Sequence, residues 1–395
     1  MIFTLTLNPA VDYTAISEKL TPGEINISKK SFISAGGKGI NVSVVLKELG
    51  IDSVAMGFVG GFTGDKVISE LKKAGVKTNF VLLKNKETRI NIKISELSDG
   101  DTEINSPGPD ISDEEFSGLF KKLEDIKEND ILIISGSLPK SAPSDLYAKI
   151  INSVKKQGAA VVLDAAGDAM KCAVTQKPLL VKPNEKELEE FCGFSVNTEK
   201  DAVAGAKILK NAGVENVLVS RGKKGALLLA ENQKVYILKA PVIKPLNCVC
   251  AGDSMLAGFV AGLLGIKAEE PIKQAENKNY NKETLKESIR SSEAFSDSFS
   301  DSSSDSSSGS YDSFPDNFSG SYFNNSSGSS SYASLSSRFA GFKFLKGSMT
   351  DAVLCNALRL ACTLGTAAAM SPKTAGKEEI LKAAIKYKNI EIIEY

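Results

Sequence analysis

The sequence predicts an α/β protein with a mostly parallel central sheet, helices on both faces and a smaller β element. Three observations carry that expectation. From Ser112 onward, short apolar strands alternate with amphipathic helical stretches, the pattern of strand–helix–strand units. Glycine-rich and acidic turns fall at the carboxyl ends of strands, where such sheets bind ligands. β-rich stretches at 9–35 and 86–107 interrupt the alternation twice and could form a lid.

Taken in order, residues 2–7 read as a strand ended by Asn8-Pro9. Beyond Val11, Ile25, Ile27, Phe32 and Ile33 suggest short strands. Residues 35–41 hold Gly36, Gly37 and Gly39; three glycines within four residues imply positive φ or a close ligand. A helix is expected over 41–49, with Val42, Val45, Leu46 and Leu49 on one side and Gly50 as its stop. Residues 53–59 form a strand, and Gly60 to Asp65 turn into a helix ending near Ala74. Residues 80–83 are a strand. Residues 88–94 alternate Ile90, Ile92 and Ile94 with Arg89, Asn91 and Lys93, so this strand should be half buried.

Helices are then expected near 112–127, 143–157, 184–192 and 198–212, and strands at 131–135, 160–164, 179–181, 216–220, 226–230 and 235–238. A tight turn opens a helix near Ala251, buried through Met255, Phe259 and Leu263 and stopped by Gly265. A polar stretch follows, about half serine between 291 and 337, which cannot bury enough apolar surface to offset ordering entropy and reads as disordered. A strongly apolar helix follows from Met349 to about Met370, then a helix from Lys377 and a strand at 390–393. The organisation expected is a core of 1–8, 36–85, 108–266 and 348–395, a lid of 9–35 and 86–107, and an insertion at 267–347.

The 395 residues carry no net charge, so nothing global favours nucleic acid or an anionic membrane. There is no histidine, which excludes Ser-His and zinc-His chemistry. Six scattered cysteines lack paired CxxC spacing and suggest reduced thiols in the cytoplasm. The N-terminus lacks the marks of a signal peptide. The longest apolar run, near 255–266, is too short to span a bilayer.

Six stretches point to chemistry. Free amides at the helix start near Cys250, Ala251 and Gly252 suit an anion, and Asp253 beside them can take a proton from a hydroxyl. Gly37, Lys38 and Asn41 read as a ligand turn or a helix cap. Asp12 and Arg89 lie on the β-rich material. Lys182, Asn184 and Glu187 read as a polar site or, for the last two, a capping box. Ser220, Gly222 and Gly225 read as a ligand loop or a hairpin turn.

In this order the stretches resemble the ribokinase-like carbohydrate kinases, specifically the phosphofructokinase-B group. Gly36 to Ser43 with Gly50 and Gly60 match one signature, and Asn247 to Gly258 match the second. Residues 6–12, 57–65, 88–91, 106–109 and 135–139 are most similar to the kinases of fructose 1-phosphate, with those of tagatose 6-phosphate next. The resemblance implies a ribokinase-like three-layer αβα sandwich with a mostly parallel central sheet and a small β lid. It implies ATP and Mg²⁺, a sugar-phosphate substrate, no nucleic acid or membrane partner, and a homodimer through the lid. Asp253 matches the general base, and the amides of Cys250 to Asp253 the anion hole. Asp12, Gly37 and Asn41 match sugar-binding positions. Lys38, Arg89 and Ser137 would hold the substrate's own phosphate, Arg89 through its planar fork. Lys182, Asn184 and Glu187 match the Mg²⁺–phosphate region, with the metal held by Glu187 and Asn184 through water. Ser220, Gly222 and Gly225 match the nucleotide loop.

Two departures touch the nucleotide side. Cys250 stands where the group has glycine, and Cys248 where it has Ser or Thr. At positive φ, Cys250 would cost on the order of 1 kcal/mol. That predicts a weakened nucleotide site and higher turnover for Cys250→Gly. The second departure is Ser371 to Gly376, where the group has a glycine-rich turn near the adenine.

Overall fold

The structure is a computed structural model that describes residues 1–96, 100–243, 250–267, 349–371, 379–380, 382–384, 390 and 392–394. The chain divides into two units, Met1–Ala275 with Phe342–Tyr395, and Glu276–Gly341. The second unit lies outside the described residues, and so does the disorder expected of the serine-rich insertion.

The first unit is built on one large sheet. Its strands are β1 (Ile2–Thr6), β4 (Ser53–Gly60), β5 (Lys77–Thr78), β6 (Val81–Leu83), β9 (Ile131–Ser135), β10 (Ala160–Asp164), β11 (Leu180–Val181), β12 (Asn216–Ser220), β13 (Ala226–Leu229), β14 (Val235–Leu238) and β15 (Ile392–Glu394). The order is β15-β14-β13-β12-β11-β10-β9-β1-β4-β5, with β6 also on β4. Pairing is parallel from β4 through β1, β9, β10 and β11 to β12, and antiparallel from β12 outward. Parallel strands must be covered on both faces; β9 and β12 are mostly Val, Ile and Leu, β1 adds Phe3 and two buried threonines, and none of the three has an exposed residue. A second sheet orders β3 (Lys30–Gly36), β2 (Ala10–Ser17), β7 (Arg89–Glu96) and β8 (Gly100–Ile104) side by side.

The helices are α1 (Lys38–Glu48), α2 (Gly61–Lys73), α3 (Asp113–Leu123), α4 (Leu146–Lys156), α5 (Gly167–Val174), α6 (Glu185–Cys192), α7 (Glu199–Asn211), α8 (Ala251–Leu263) and α9 (Asp351–Ala369). Side-chain caps start several of them: Ser112 with Glu115, Asn184 with Glu187 and Thr198 with Asp201 form reciprocal capping boxes. α1 begins three residues earlier than its apolar pattern indicates, so Lys38 and Asn41 both lie in its first turn. α5 has no counterpart in the sequence reading. Ile25 and Ile27 form no strand and stand 94% and 85% exposed, because the sheet offers them no partner.

α8 and α9 pack backbone to backbone. A Cβ on Gly258 would lie 2.6 Å from the Leu360 carbonyl oxygen, and one on Gly262 2.4 Å from Ala357 Cα. α9, not the run at 255–266, is the longest apolar helix described. It is the one helix among the described residues long and apolar enough to cross a membrane, and 72% of that window is buried inside the protein.

Candidate active site

Parallel strands deliver their carboxyl ends to one edge of the sheet, and the polar groups collect there. Ser135 ends β9, Asp164 ends β10, and Lys182 follows β11. Asp164 is fully buried. Its Oδ2 accepts from Ser135 Oγ at 3.1 Å, and its Oδ1 lies 3.4 Å from both Lys38 Nζ and Lys182 Nζ. Burial opposes ionisation of Asp164, but Lys182 and Lys38 outweigh it and hold its carboxyl below the usual range. Asp164 in turn keeps the Lys38 ammonium above its ordinary value, against the cost of burial.

Gly37 precedes α1 with φ at 127°, a conformation that favours glycine, and a Cβ there would strike Thr6 Cγ2 at 2.6 Å. The Thr6 hydroxyl accepts from the Ile40 amide at 3.0 Å. These contacts pin the first turn of α1 against β1 and aim Asn41 at α8.

Among the described residues no side chain caps the start of α8, which suits the amides of its first turn to a ligand. Asp253 lies in that turn, 3% exposed, and its Oδ2 accepts from Asn41 Nδ2 at 2.8 Å. Burial, and then the charge of Asp164, push its carboxyl up to about 7, against the bond from Asn41 and the charges of Lys38 and Lys182. A Cβ at Gly252 would lie 3.4 Å from Lys182 Nζ, which puts that ammonium over the helix start. One carboxylate poised near neutrality, two ammonium groups and a set of free amides therefore share one place.

Glu187 forms the expected capping box and also faces Lys38. Its Oε2 accepts from the Asn184 amide at 2.8 Å, completing the capping box, while its Oε1 lies 3.7 Å from Lys38 Nζ. Asn184 is exposed and its Oδ1 caps α6. Ser220 is tied to the same segment, its amide donating to the Pro183 carbonyl at 2.9 Å. Gly222 and Gly225 flank a 3-10 turn between antiparallel β12 and β13, so the hairpin reading is the observed geometry. Within it Arg221 turns inward to Glu185 at 3.1 Å.

Asp12 lies on the second sheet, 9% exposed. Its Oδ1 accepts from Asn91 Nδ2 at 2.9 Å and its Oδ2 pairs with Lys93 Nζ at 2.8 Å. Ser137 is exposed, next to Gly136, where a Cβ would lie 3.9 Å from Lys38 Cβ. Arg89 opens β7, the strand that carries Asn91 and Lys93. Its terminal nitrogens donate to the carbonyls of Ser106 and Asn8, each at 2.9 Å, beside an open groove of about 680 Å³ lined by Phe62, Lys86, Thr88 and Pro107. Among the described residues its buried Nε has no hydrogen-bond partner.

Cys250 has φ −93°. The strain expected from positive φ is absent, because the chain enters α8 through a conformation open to any residue. With it goes the strain argument for Cys250→Gly raising turnover, while crowding of the phosphate by the side chain is not addressed by φ. Burial and then the charge of Asp253 push the thiol up to about 12, so it is neutral at physiological pH. Asn247 and Cys248, and residues 372–376, lie outside the described residues.

Sequence reasoning missed Asp164 and Lys93. An aspartate closing a buried strand was the available signal for the first. For the second there was none, since alternation alone shows Lys93 only as the polar side of a strand.

Fold and site together define a phosphotransferase of the carbohydrate-kinase type. The model of the pfkB family of carbohydrate kinases matches residues 5–296, and the chain belongs to that family. Over 276 residues it is 44% identical to the 1-phosphofructokinase of Bacillus subtilis (strain 168), covering 70% of this chain and 88% of that protein. It is 36% identical over 286 residues to a tagatose-6-phosphate kinase of Staphylococcus epidermidis, covering 70% and 90%. Among solved structures, phosphofructokinase-2 from Escherichia coli in complex with fructose-6-phosphate superposes with a TM-score of 0.63 at 30% identity, covering 66% of this chain and 86% of that one.

Proposed function

We propose that the protein transfers the γ-phosphoryl group of ATP to the C6 hydroxyl of D-fructose 1-phosphate, giving D-fructose 1,6-bisphosphate and ADP. The observation that carries this reading is the Asn41–Asp253 hydrogen bond, which joins the sugar-side turn of α1 to an uncapped helix start. Ionised Asp253 takes the hydroxyl proton as the sugar oxygen bonds to the γ-phosphorus and the bond to the β-phosphate oxygen breaks. Phosphoryl transfer asks mainly for positioning and charge neutralisation. The amides of Ala251 to Asp253 with Lys182 and Lys38 supply the second; Asp12, Gly37 and Asn41 supply the first. Arg89, Lys38 and Ser137 take the substrate's phosphate, and Ser220, Gly222 and Gly225 border the nucleotide.

Magnesium binds through one or two carboxylates, waters and phosphates. The described residues hold no cluster of three acidic or thiol donors, and the carboxylates of Asp164 and Glu187, both beside Lys38, fit that sparser mode. Mg²⁺ there would neutralise phosphate charge. Asn184 reaches it only through water, since its Oδ1 caps α6.

The small sheet serves as the lid. On its face opposite Asp12, Ile33, Tyr13, Ile92 and Ile104 stand in register across all four strands, 38–56% exposed. A second copy of the chain covers this row, and light scattering of the purified protein tests it.

ADP release measured with fructose 1-phosphate, tagatose 6-phosphate and fructose 6-phosphate, with Asp253→Asn as control, tests the activity. Preference for fructose 1-phosphate supports the reading, and preference for tagatose 6-phosphate would transfer it to the second relative's substrate. Thermal shifts without ADP would mark a protein that holds sugar phosphate without turnover.

A further inference from the structure

Lys93 is given no part in the reaction above, yet it faces the sugar side. It lies on β7, two and four residues beyond Asn91 and Arg89, and so shares their face of the small sheet. Parallel pairing sets Asn91 beside Asp12 and Lys93 beside Thr14, the next β2 residue on that face. Asp12 thereby receives one donor on each oxygen, Asn91 at 2.9 Å and Lys93 at 2.8 Å. Both partners of the ion pair are mostly shielded, with side chains 18% and 12% exposed, so solvent screens them weakly. Glu103 stands opposite Lys93 on β8.

A lone carboxylate is a poor neighbour for a phosphorylated sugar, because the substrate carries its own negative charge. A carboxylate held at both oxygens and matched by an ammonium is different. It keeps lone pairs for a sugar hydroxyl and presents no net charge to the phosphate.

We propose that Lys93 is a positioning residue for the sugar-phosphate site, acting through Asp12 by fixing its carboxylate and cancelling its charge. This rests on the function proposed above. It assigns the effect of Lys93 to sugar-phosphate binding and leaves phosphoryl transfer to α8.

The test uses the full chain in five forms: wild type, Lys93→Met, Lys93→Arg, Asp12→Asn, and Lys93→Met combined with Asp12→Asn. Lys93→Met should raise KM for fructose 1-phosphate about 10- to 100-fold, the range for a charged hydrogen bond, with KM for ATP unchanged and kcat within about 3-fold. Lys93→Arg should recover most of the loss. On the Asp12→Asn background, Lys93→Met should change KM by less than about 3-fold, because the charge it cancels is gone. An unchanged KM in Lys93→Met, or a full effect on that background, overturns the proposal. So does a fall in kcat that tracks lost thermal stability, which would mark a merely structural lysine. If the wild type turns over none of the three sugar phosphates, the functional reading fails first. Thermal shifts with fructose 1-phosphate then decide for Lys93: a shift lost in Lys93→Met and kept in Lys93→Arg supports its role, and a shift equal in both or missing from wild type overturns it.

Discussion

Asn41 Nδ2 donates to Asp253 Oδ2 at 2.8 Å across 212 residues of sequence. The bond favours the ionised carboxylate and works against the burial that pushes Asp253 up to about 7. Asn41→Ala should therefore move the acid limb of the kcat/KM profile to higher pH. At pH 6.5 the loss should reach about 10-fold, and it should shrink by pH 8.5. A profile parallel to that of wild type at every pH would show that Asn41 does not govern the base.

Asp253→Asn removes the proton acceptor and should lower turnover about 10²- to 10⁴-fold while sugar phosphate still raises the melting temperature. The same substitution carries a stability signature. Asp253 has an ordinary value of 3.8 and about 7 in the fold, so the folded state holds its proton more tightly. Its share of stability is present at low pH and is lost as pH rises from about 4 to 7. The Asn variant escapes that loss, so its melting temperature relative to wild type should be higher at pH 8 than at pH 4.5. The opposite trend would mean that Asp253 is ionised throughout.

Asp164 has the reverse sign. Its carboxyl is held below the usual range, so its contribution is present above its ordinary value and fades as the solution is acidified through it. Asp164→Asn leaves Lys38 and the buried Lys182 without their shared counter-charge, which should cost about 3–5 kcal/mol in urea unfolding. Adding Lys182→Met should restore part of that. A neutral single variant would show that solvent reaches the group.

Gly262→Ala puts a methyl where only 2.4 Å separates its position from Ala357 Cα. α8 and α9 must move apart, at about 1–3 kcal/mol, read as a lowered midpoint in chemical denaturation. Because α8 carries Asp253, turnover should fall as well.

Much of this was legible in the sequence. Alternating strands and helices announced the sheet, and a small-residue turn before an apolar run announced α8 and placed Asp253 at its start. Glu187 kept two readings because its two oxygens face different ways: one caps α6, the other faces Lys38. What stayed hidden depends on neighbours far away in sequence. Asp164 looks like any strand end until Lys38 and Lys182 meet over it. Lys93 looks like a solvated position until β2 brings Asp12 beside it. The backbone at Cys250 was misjudged because residue type says little about φ where the chain enters a helix. Ile25 and Ile27 misled in the other direction, since apolar alternation without a pairing edge makes no strand.

The glycine seam between α8 and α9 has a consequence for how the molecule is born. α8 ends at Leu263 and its mate begins at Asp351, after the whole serine-rich stretch. A nascent chain that has just emitted Ala251 to Leu263 holds every proposed site residue, yet the flank of α8 is bare until α9 leaves the ribosome. The active end can set only once Asp351 to Ala369 has emerged, so a chain cut before Asp351 should be insoluble rather than a slow enzyme.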